Sequence, residues 1–387
     1  MTVTDPKGFV AAGIACGIKP SGNPDLSLVA TDGGRPVNAA AVFTQNKSTA
    51  APVVVTREHL AASNGKAAAV VLNSGNANAA TGASGKADAQ RMCELVAHQL
   101  GCKPDEVLVC STGLIGIPLP MDPIEGGVGR LVQSLRPDGG NNAAQAIMTT
   151  DTVRKEVSVD GGGFTVGGMA KGAAMLAPNM ATMLAVLTTD ADASPETLTR
   201  LLQAGVRDSF NVMTVDGCQS TNDTVIILAN GSAGAVDEEK LADAIFQACD
   251  SLARQMVNDA EGATKVVEVH VVGAASDDEA AAGARQIAES QLCKCSWYGQ
   301  DPYWGRLVAE LGVAGIEFDP DTVSVTYGDI TVCRNGITSM HDATALQDVM
   351  AKREITITCD LGLGEGSAYV LTNDLTHAYV DENMGTS

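Results

Sequence analysis

The sequence has 387 residues, enough for two or three domains, and 45% of them are hydrophobic, as in a soluble globular protein with a sizeable core. The formal net charge is −21, which would repel a phosphate backbone, so nucleic acid is not expected as a partner. Aromatic residues make up only 3%, which also argues against platforms that stack bases.

Short apolar runs alternate with helical patterns in the first half of the chain. The predicted strands are 40–43, 52–56, 68–72 and 107–110, and residues 86–100 have the apolar spacing of a helix. Segments 136–142 and 161–163 are predicted to be surface connections because they are rich in turn-forming residues.

The second half continues this alternation. Residues 194–209 are predicted to form a helix, because Ser194 can cap its start and Pro195 suits the first helical position. Further predicted helices are 238–257 and 277–290, and further predicted strands are 184–187, 225–228, 266–272, 323–327, 330–333, 355–360 and 368–372. The mixture predicts an α/β or α+β fold with helices packed over sheets. A polar turn at 273–276 predicts two domains, 1–272 and 273–387.

Several classes of protein are not expected. Residues 1–9 lack a charged segment followed by an apolar run, so no signal peptide is predicted, and no stretch is long enough to span a membrane. A cytoplasmic protein with reduced thiols is therefore expected. The ten cysteines and five histidines lack ligand spacing, so neither a metal nor another cofactor is expected. Gly362, Gly364 and Gly366 predict a turn or bulge and not a nucleotide-binding loop.

The stretch 167–190 offers a candidate nucleophile. Pro178 shortly precedes Ala181 and Thr182, and a strand-like run follows. The Thr hydroxyl can attack the preceding carbonyl, and hydrolysis of the resulting ester would free an α-amine beside the hydroxyl. An α-amine has a pKa of roughly 7.7–8.0, so it can act as the base near neutral pH. The simpler interpretation is an ordinary strand Thr beside a Met-rich core, and spacing alone favours it.

Three other stretches hold polar groups that suit a site. Residues 109–116 end a predicted strand in Ser-Thr-Gly, which can aim a hydroxyl and a backbone N–H at one oxyanion. Residues 147–152 place three hydroxyls around one Asp, and residues 259–265 combine a carboxylate, a Gly and a Lys at a predicted helix end. Taken singly, each has a simpler interpretation: a strand-to-loop turn, a capped helix end and surface charge.

Eight sequence blocks extend these stretches over nearly the whole chain. They are NSGNANAATG at 73–82, CSTGLIG with PMD at 110–122, AIMTTDT at 146–152, GGMAKGAAMLAPNMATML at 167–184, STNDT at 220–224, DAEGATK at 259–265, DPYWGR at 301–306 and DLTHAYVDEN at 374–383. In content and order they resemble one family, the ornithine acetyltransferases of arginine biosynthesis, also called glutamate N-acetyltransferases. Eight ordered blocks are far more specific than any single motif.

This resemblance implies a self-processing enzyme. The precursor would cleave itself between Ala181 and Thr182 into an α segment, 1–181, and a β segment, 182–387, which stay associated and pair into an α2β2 heterotetramer. The implied fold is a layered αββα sandwich like that of N-terminal nucleophile hydrolases, with a smaller C-terminal α/β domain. The implied reaction moves acetyl from N2-acetyl-L-ornithine to L-glutamate, yielding ornithine and N-acetylglutamate.

The resemblance also implies roles for single residues. Thr182 would carry the acetyl group as an ester, while the Thr112 hydroxyl and the Gly113 N–H would stabilise the oxyanion. The positions that match substrate contacts are Thr149, Lys171, Thr182, Glu261, Asn383 and Ser387, with Thr386 as the other candidate in the tail. Lys171 suits the α-carboxylate that both amino acids share, and Glu261 suits the ornithine ammonium.

Three alternatives stay open. A bifunctional enzyme would also make N-acetylglutamate from acetyl-CoA, as a substrate and not a cofactor, and nothing in the sequence separates it from the first hypothesis. A self-cleaving amidase or aminopeptidase would pass the acyl group to water, although Lys171 and Glu261 favour an amino-acid acceptor. A non-catalytic binding protein of the same fold is disfavoured, because the candidate residues are all present: Thr112, Gly113, Lys171 and Thr182.

Overall fold

The computed structural model describes residues 2–177 and 183–384. Its strands are β1 Phe9–Ile14, β2 Leu26–Thr31, β3 Val37–Phe43, β4 Lys66–Ala67, β5 Ala69–Asn76, β6 Val107–Leu114, β7 Lys155–Asp160, β8 Thr165–Lys171, β9 Leu184–Asp192, β10 Thr224–Ala235, β11 Val266–Ala274, β12 Ser324–Tyr327, β13 Ile330–Arg334, β14 Ile337–Thr338, β15 Glu354–Asp360 and β16 Gly366–Asn373. Its helices are α1 Ala51–Ala62, α2 Gly82–Leu100, α3 Met121–Gln133, α4 Gly140–Ile147, α5 Pro195–Arg207, α6 Glu238–Asn258, α7 Asp277–Glu289, α8 Gln291–Tyr298, α9 Trp304–Leu311, α10 Ala343–Ala351 and α11 His377–Glu382, with short 3-10 turns at Pro104–Glu106 and Phe210–Val212.

The chain divides into two compact units. The first comprises Met1–Asn211 and Gln219–Met256, and the second comprises Val212–Cys218 and Val257–Ser387. The domain boundary expected after residue 272 falls at the end of β11, inside the second unit. As a statement about domains it stays a prediction.

Two sheets form the centre of the first unit. One has the strand order β1-β2-β5-β6, and the other has the order β4-β3-β10-β9-β8-β7. Side chains alternate between the two faces of a strand, so each strand of the first sheet contributes to two cores. One core lies between the sheets and includes Val70, Leu72, Leu108, Val186, Ile226 and Leu228. The other core lies under α2 and α3 and includes Val71, Val109, Met92, Val96 and Ile124.

Helices cover the outer face of the second sheet as well. Helix α5 contacts β3, and Leu252 of α6 lies beside Gly168 of β8, where an added Cβ would come within 3.3 Å of its Cδ1 atom. Together with α2 and α3, these helices complete a sandwich of four layers, helix, sheet, sheet and helix. The α/β layered fold expected from the sequence is confirmed.

The second unit is built on one mixed sheet with the order β14-β13-β12-β15-β11-β16. Strand β11 runs parallel to β15 and antiparallel to β16. Val267, Val269 and Val271 of β11 pack with apolar side chains of α7, α8 and α9 in a single core, whose largest members are Trp297 and Tyr327.

The predicted strand at residues 52–56 is wrong, because this run forms the start of α1. Pro52 stands in the first turn, where a missing N–H costs nothing, and Val53, Val55 and Thr56 are buried. A short apolar run that is buried on most sides has no periodicity to distinguish helix from strand. The predicted connection at 136–142 is also partly wrong, since α4 begins at Gly140.

The helix predicted from Ser194 is confirmed in α5, where the Ser194 hydroxyl accepts a hydrogen bond from the Thr197 N–H at 3.2 Å. In the part of the chain that the structure describes, no helix combines the length and the apolar character needed to cross a membrane.

Candidate active site

The carboxyl end of β6 forms one corner of the site. Strands β5 and β6 are parallel, with Ser74 opposite Thr112 and Gly75 opposite Gly113. Gly113 has a φ of +133°, and an added Cβ would lie 2.3 Å from the carbonyl carbon of Gly75. No other residue fits this approach, so the sequence must place Gly here for the strand to end with its backbone at this corner.

Lys171, the last residue of β8, reaches the same corner. Its side chain is buried, and its Nζ donates a hydrogen bond to the Thr112 hydroxyl oxygen at 3.3 Å. The structure thus brings together three of the residues singled out in the sequence, Thr112, Gly113 and Lys171. Because Thr112 accepts from Lys171, its own hydroxyl hydrogen can point away toward a ligand.

A buried carboxylate, Asp151, fixes the loop that carries Thr149. Its Oδ2 accepts from the Thr149 N–H at 2.9 Å, and its Oδ1 accepts from Lys155 Nζ at 2.6 Å and from the Gly172 N–H at 2.7 Å. Burial alone would raise the pKa of Asp151, but the charges of Lys171 and Lys155 hold it at about 2. The carboxylate is therefore ionised at neutral pH, and it ties the Thr149 loop to the end of β8.

A second buried carboxyl group, Asp223, behaves in the opposite way. Burial raises its pKa well above the usual value, although the charge of Lys171 opposes this shift. Its Oδ2 has no hydrogen-bond partner within the described ranges. The next residue, Thr224, donates its N–H to the Met183 carbonyl at 2.9 Å.

The other candidate residues belong to the second unit. The Asn383 side chain donates to Glu261 Oε2 at 2.7 Å and to the Tyr379 carbonyl at 2.9 Å. The Tyr379 hydroxyl in turn donates to Asp216 Oδ2 at 3.2 Å. Glu261 is only 8% exposed. The predicted pair Glu261 and Asn383 is therefore adjacent, and the amide orients a largely buried carboxylate.

Five residues named from the sequence lie outside the described ranges: Pro178, Ala181, Thr182, Thr386 and Ser387. Sequence reasoning missed the role of Asp151 as an anchor and did not single out Asp223. The only signals were their places inside the blocks AIMTTDT and STNDT. Within residues 2–177 and 183–384, no group of three or more His, Cys, Asp or Glu side chains is arranged to hold a metal ion.

Comparison with known proteins identifies the family. The chain matches the ArgJ family over residues 10–385. The chain belongs to the ArgJ family. Proteins named arginine biosynthesis bifunctional protein ArgJ from Thermobifida fusca (strain YX) and Streptomyces coelicolor are each 48% identical to it over 388 residues, with 100% of both chains covered. The resemblance stated from the sequence is confirmed.

Three solved structures are similar to parts of this chain. Ornithine acetyltransferase of Mycobacterium tuberculosis, complexed with ornithine, is 48% identical, with a TM-score of 0.44 over 47% of this chain and 96% of that chain. ArgJ of Bacillus halodurans is 32% identical, with a TM-score of 0.48 over 51% and 96%. A Burkholderia β-aminopeptidase is 13% identical, with a TM-score of 0.43 over 67% and 85%.

Replacement of Asp151 by Asn should destabilise the protein. The change leaves the Lys155 ammonium buried without its carboxylate, which costs about 3–5 kcal/mol when a buried pair is broken. The folded pKa of Asp151 is depressed, so its contribution is present above pH ~4 and is lost as the pH falls toward 2. In urea unfolding at pH 7, the free energy of unfolding should therefore be lower for Asp151→Asn than for wild type. This difference should narrow between pH 4 and 2.

Asp138→Asn provides the control, because Asp138 and Arg136 form an exposed pair at 3.8 Å. Such pairs contribute about 0–1 kcal/mol, so this variant should unfold like wild type. Equal stability of wild type and Asp151→Asn at pH 7 would contradict the anchoring role.

Proposed function

We propose that the chain cleaves itself between Ala181 and Thr182 and then transfers acetyl from N2-acetyl-L-ornithine to L-glutamate through an ester on Thr182. As a member of the ArgJ family, the chain is an ornithine acetyltransferase of arginine biosynthesis. The proposal adds the nucleophile, the oxyanion groups and the substrate contacts.

The observation that carries these roles is the hydrogen bond from Lys171 to the Thr112 hydroxyl. It fixes the Thr112 oxygen as an acceptor on one side, so the hydroxyl hydrogen is available for an oxyanion on the other. The Gly113 N–H, at the same strand end, is the second donor. Donors already held in place cost no reorganisation when charge develops on the carbonyl oxygen.

The reaction then follows in two steps. The Thr182 hydroxyl attacks the acetyl carbonyl, its proton passes to the Thr182 α-amine, and ornithine leaves with that proton. Glutamate next attacks the ester carbonyl as a neutral amine, and the same α-amine takes the proton that the attacking nitrogen releases. The ester C–O bond then breaks as the α-ammonium passes this proton to the Thr182 oxygen, which restores the free enzyme. A single base adjacent to the nucleophile is therefore sufficient for both steps.

Charge on the described residues suits amino-acid substrates. Lys171 offers a buried cation to an α-carboxylate. The Thr149 N–H donates to the Asp151 carboxylate, which interacts electrostatically with Lys171. In the second unit, Glu261 offers an anion that suits an ammonium such as the ornithine side chain.

Strand order supports association of the segments after cleavage. Strands β9 and β10, from the β segment, lie between β3 and β8, from the α segment, in one continuous sheet. Cleavage between Ala181 and Thr182 would thus leave every hydrogen-bonded strand pair of this sheet intact. We further propose that the associated segments pair into an α2β2 heterotetramer.

Purified active protein should consist of two polypeptides of roughly 18 and 21 kDa, from the mean residue mass of a chain this size. Thr182→Ala should stay full length because the attacking hydroxyl is gone, whereas Thr182→Ser should still be cleaved. Denaturing electrophoresis and N-terminal sequencing check both results. A β segment that begins at any residue other than Thr182 would contradict the assignment.

Thr112→Ala should lower kcat by about 10²–10³, as the loss of one oxyanion donor does, with a smaller effect on KM. Thr112→Ser keeps the hydroxyl and should stay within about tenfold of wild type. Steady-state kinetics of ornithine release decide between the roles. A change confined to KM would make Thr112 a binding residue instead.

Ping-pong kinetics are expected, because ornithine must leave before glutamate attacks the ester. Double-reciprocal plots should give parallel lines, and N-acetylornithine alone should leave one acetyl group on the β segment, visible by rapid-quench mass spectrometry. Intersecting lines without an acetylated segment would exclude the covalent route.

The alternative functions differ in the acetyl donor or acetyl acceptor that the enzyme uses, and the same measurements distinguish them. Rapid loss of the acetyl group in buffer would identify an amidase. Acetylation of glutamate from acetyl-CoA would identify the second activity that the word "bifunctional" in the relatives' name leaves unspecified.

A further inference from the structure

Lys19 lies beside the candidate site but has no role in the proposed function. Its side chain is half-buried, and its Nζ donates to the Pro24 carbonyl at 2.9 Å and to the Met148 carbonyl at 2.6 Å. Met148 directly precedes Thr149. An ammonium has three N–H donors, so these two bonds, the only ones to described residues, leave one donor for a ligand.

The backbone that carries Lys19 is rigidly held. The buried Asp25 carboxylate accepts hydrogen bonds from four consecutive N–H groups, those of Cys16 at 2.7 Å, Gly17 at 3.1 Å, Ile18 at 2.6 Å and Lys19 at 3.0 Å. Burial would raise the pKa of Asp25, but these bonds lower it below the usual value. The carboxylate is ionised, and the turn before Lys19 is fixed.

The stem of Lys19 crosses the oxyanion corner. A Cβ added to Gly75 would lie 3.0 Å from Lys19 Cγ, so the side chain packs on the backbone of Gly75. Gly75 is the strand partner of Gly113. Lys19 therefore passes from the end of β5, beside the oxyanion glycine, to the carbonyl that precedes Thr149.

Lysine side chains are concentrated at this corner. Lys19 interacts electrostatically with Lys171 and with Asp151, which in turn contacts Lys155. Three lysines thus lie around the Asp151 carboxylate in a chain whose net charge is −21. Such a concentration of cations inside an acidic protein points to an anionic ligand.

We propose that Lys19 is a second cation for the substrate α-carboxylate, which it binds together with Lys171 through its third N–H. The inference rests on the proposed function, because it assigns the ligand of that site. Both N-acetylornithine and glutamate carry an α-carboxylate, so Lys19 should affect the binding of both.

The test compares Lys19→Gln with wild type. Gln keeps a side-chain N–H donor but carries no charge. KM for N-acetylornithine and for glutamate should each rise about tenfold to a hundredfold, the effect of one charged hydrogen bond, while kcat changes less than threefold. Lys19→Arg keeps the cation and should recover most of the loss.

A neutral substrate separates charge recognition from structure. With the α-carboxamide of N-acetylornithine, wild type and Lys19→Gln should have the same KM, because the carboxylate that Lys19 binds is absent. If Lys19→Gln raises KM equally for N-acetylornithine and for its α-carboxamide, Lys19 has only a structural role through Met148. That result would overturn the inference. Lys66→Gln is the control: Lys66 is exposed, its Nζ donates to Asn38 at 2.6 Å, and the variant should match wild type.

The two proposals can fail separately. If wild type does not transfer acetyl from N-acetylornithine to glutamate, the proposed function is wrong. If wild type transfers acetyl and Lys19→Gln has wild-type KM for both amino acids, only the role of Lys19 is wrong. Thermal unfolding of each variant checks that the fold is retained.

Discussion

The buried carboxylate of Asp151 is the constraint on which the first unit's site depends. It must lose its hydration, and only several donors at once can offset that cost. Those donors come from separate elements: the Thr149 N–H, the Gly172 N–H and the Lys155 ammonium. Because one group satisfies all three, the loop after α4, the start of β7 and the end of β8 keep a fixed relation. Lys171 ends β8, so its position is tied to the same anchor.

The central sheet can keep its structure if the chain is cut at the proposed cleavage point. Its two middle strands follow the proposed cleavage point, and their neighbours on both sides precede it. Backbone hydrogen bonds and the core between the sheets hold these strands without the connecting peptide. The bond between Ala181 and Thr182 is therefore not needed to hold these strands in the sheet. Met183, the residue after the proposed nucleophile, is held in place because its carbonyl accepts a hydrogen bond from the Thr224 N–H at 2.9 Å.

The pKa values of the buried acids in the site depend on how deeply each carboxyl group is buried and on which charges and donors surround it. Asp151 and Asp223 are both buried acids, yet their pKa values shift in opposite directions: that of Asp151 falls to about 2, whereas burial raises that of Asp223 well above its usual value. Asp151 has two lysines and two backbone N–H groups, whereas Asp223 has an oxygen without a partner in the described part of the chain. The lysines around Asp151 place cations inside an acidic chain, and such cations suit a small carboxylate ligand.

The sequence by itself determined the family, the order of most elements and the residues to examine. The ordered blocks are runs of consecutive residues, so the sequence alone shows them. The same is true of the helix cap at Ser194, whose partner Thr197 is three residues away. Only tertiary structure decided that residues 52–56 are helical, that Asp151 anchors the loop and that Lys19 reaches Met148. These outcomes depend on burial and on contacts between residues that are distant in sequence. Lys19 and Met148, for example, are more than a hundred residues apart. Periodicity and propensity report only neighbours along the chain, so they hold no information on such contacts.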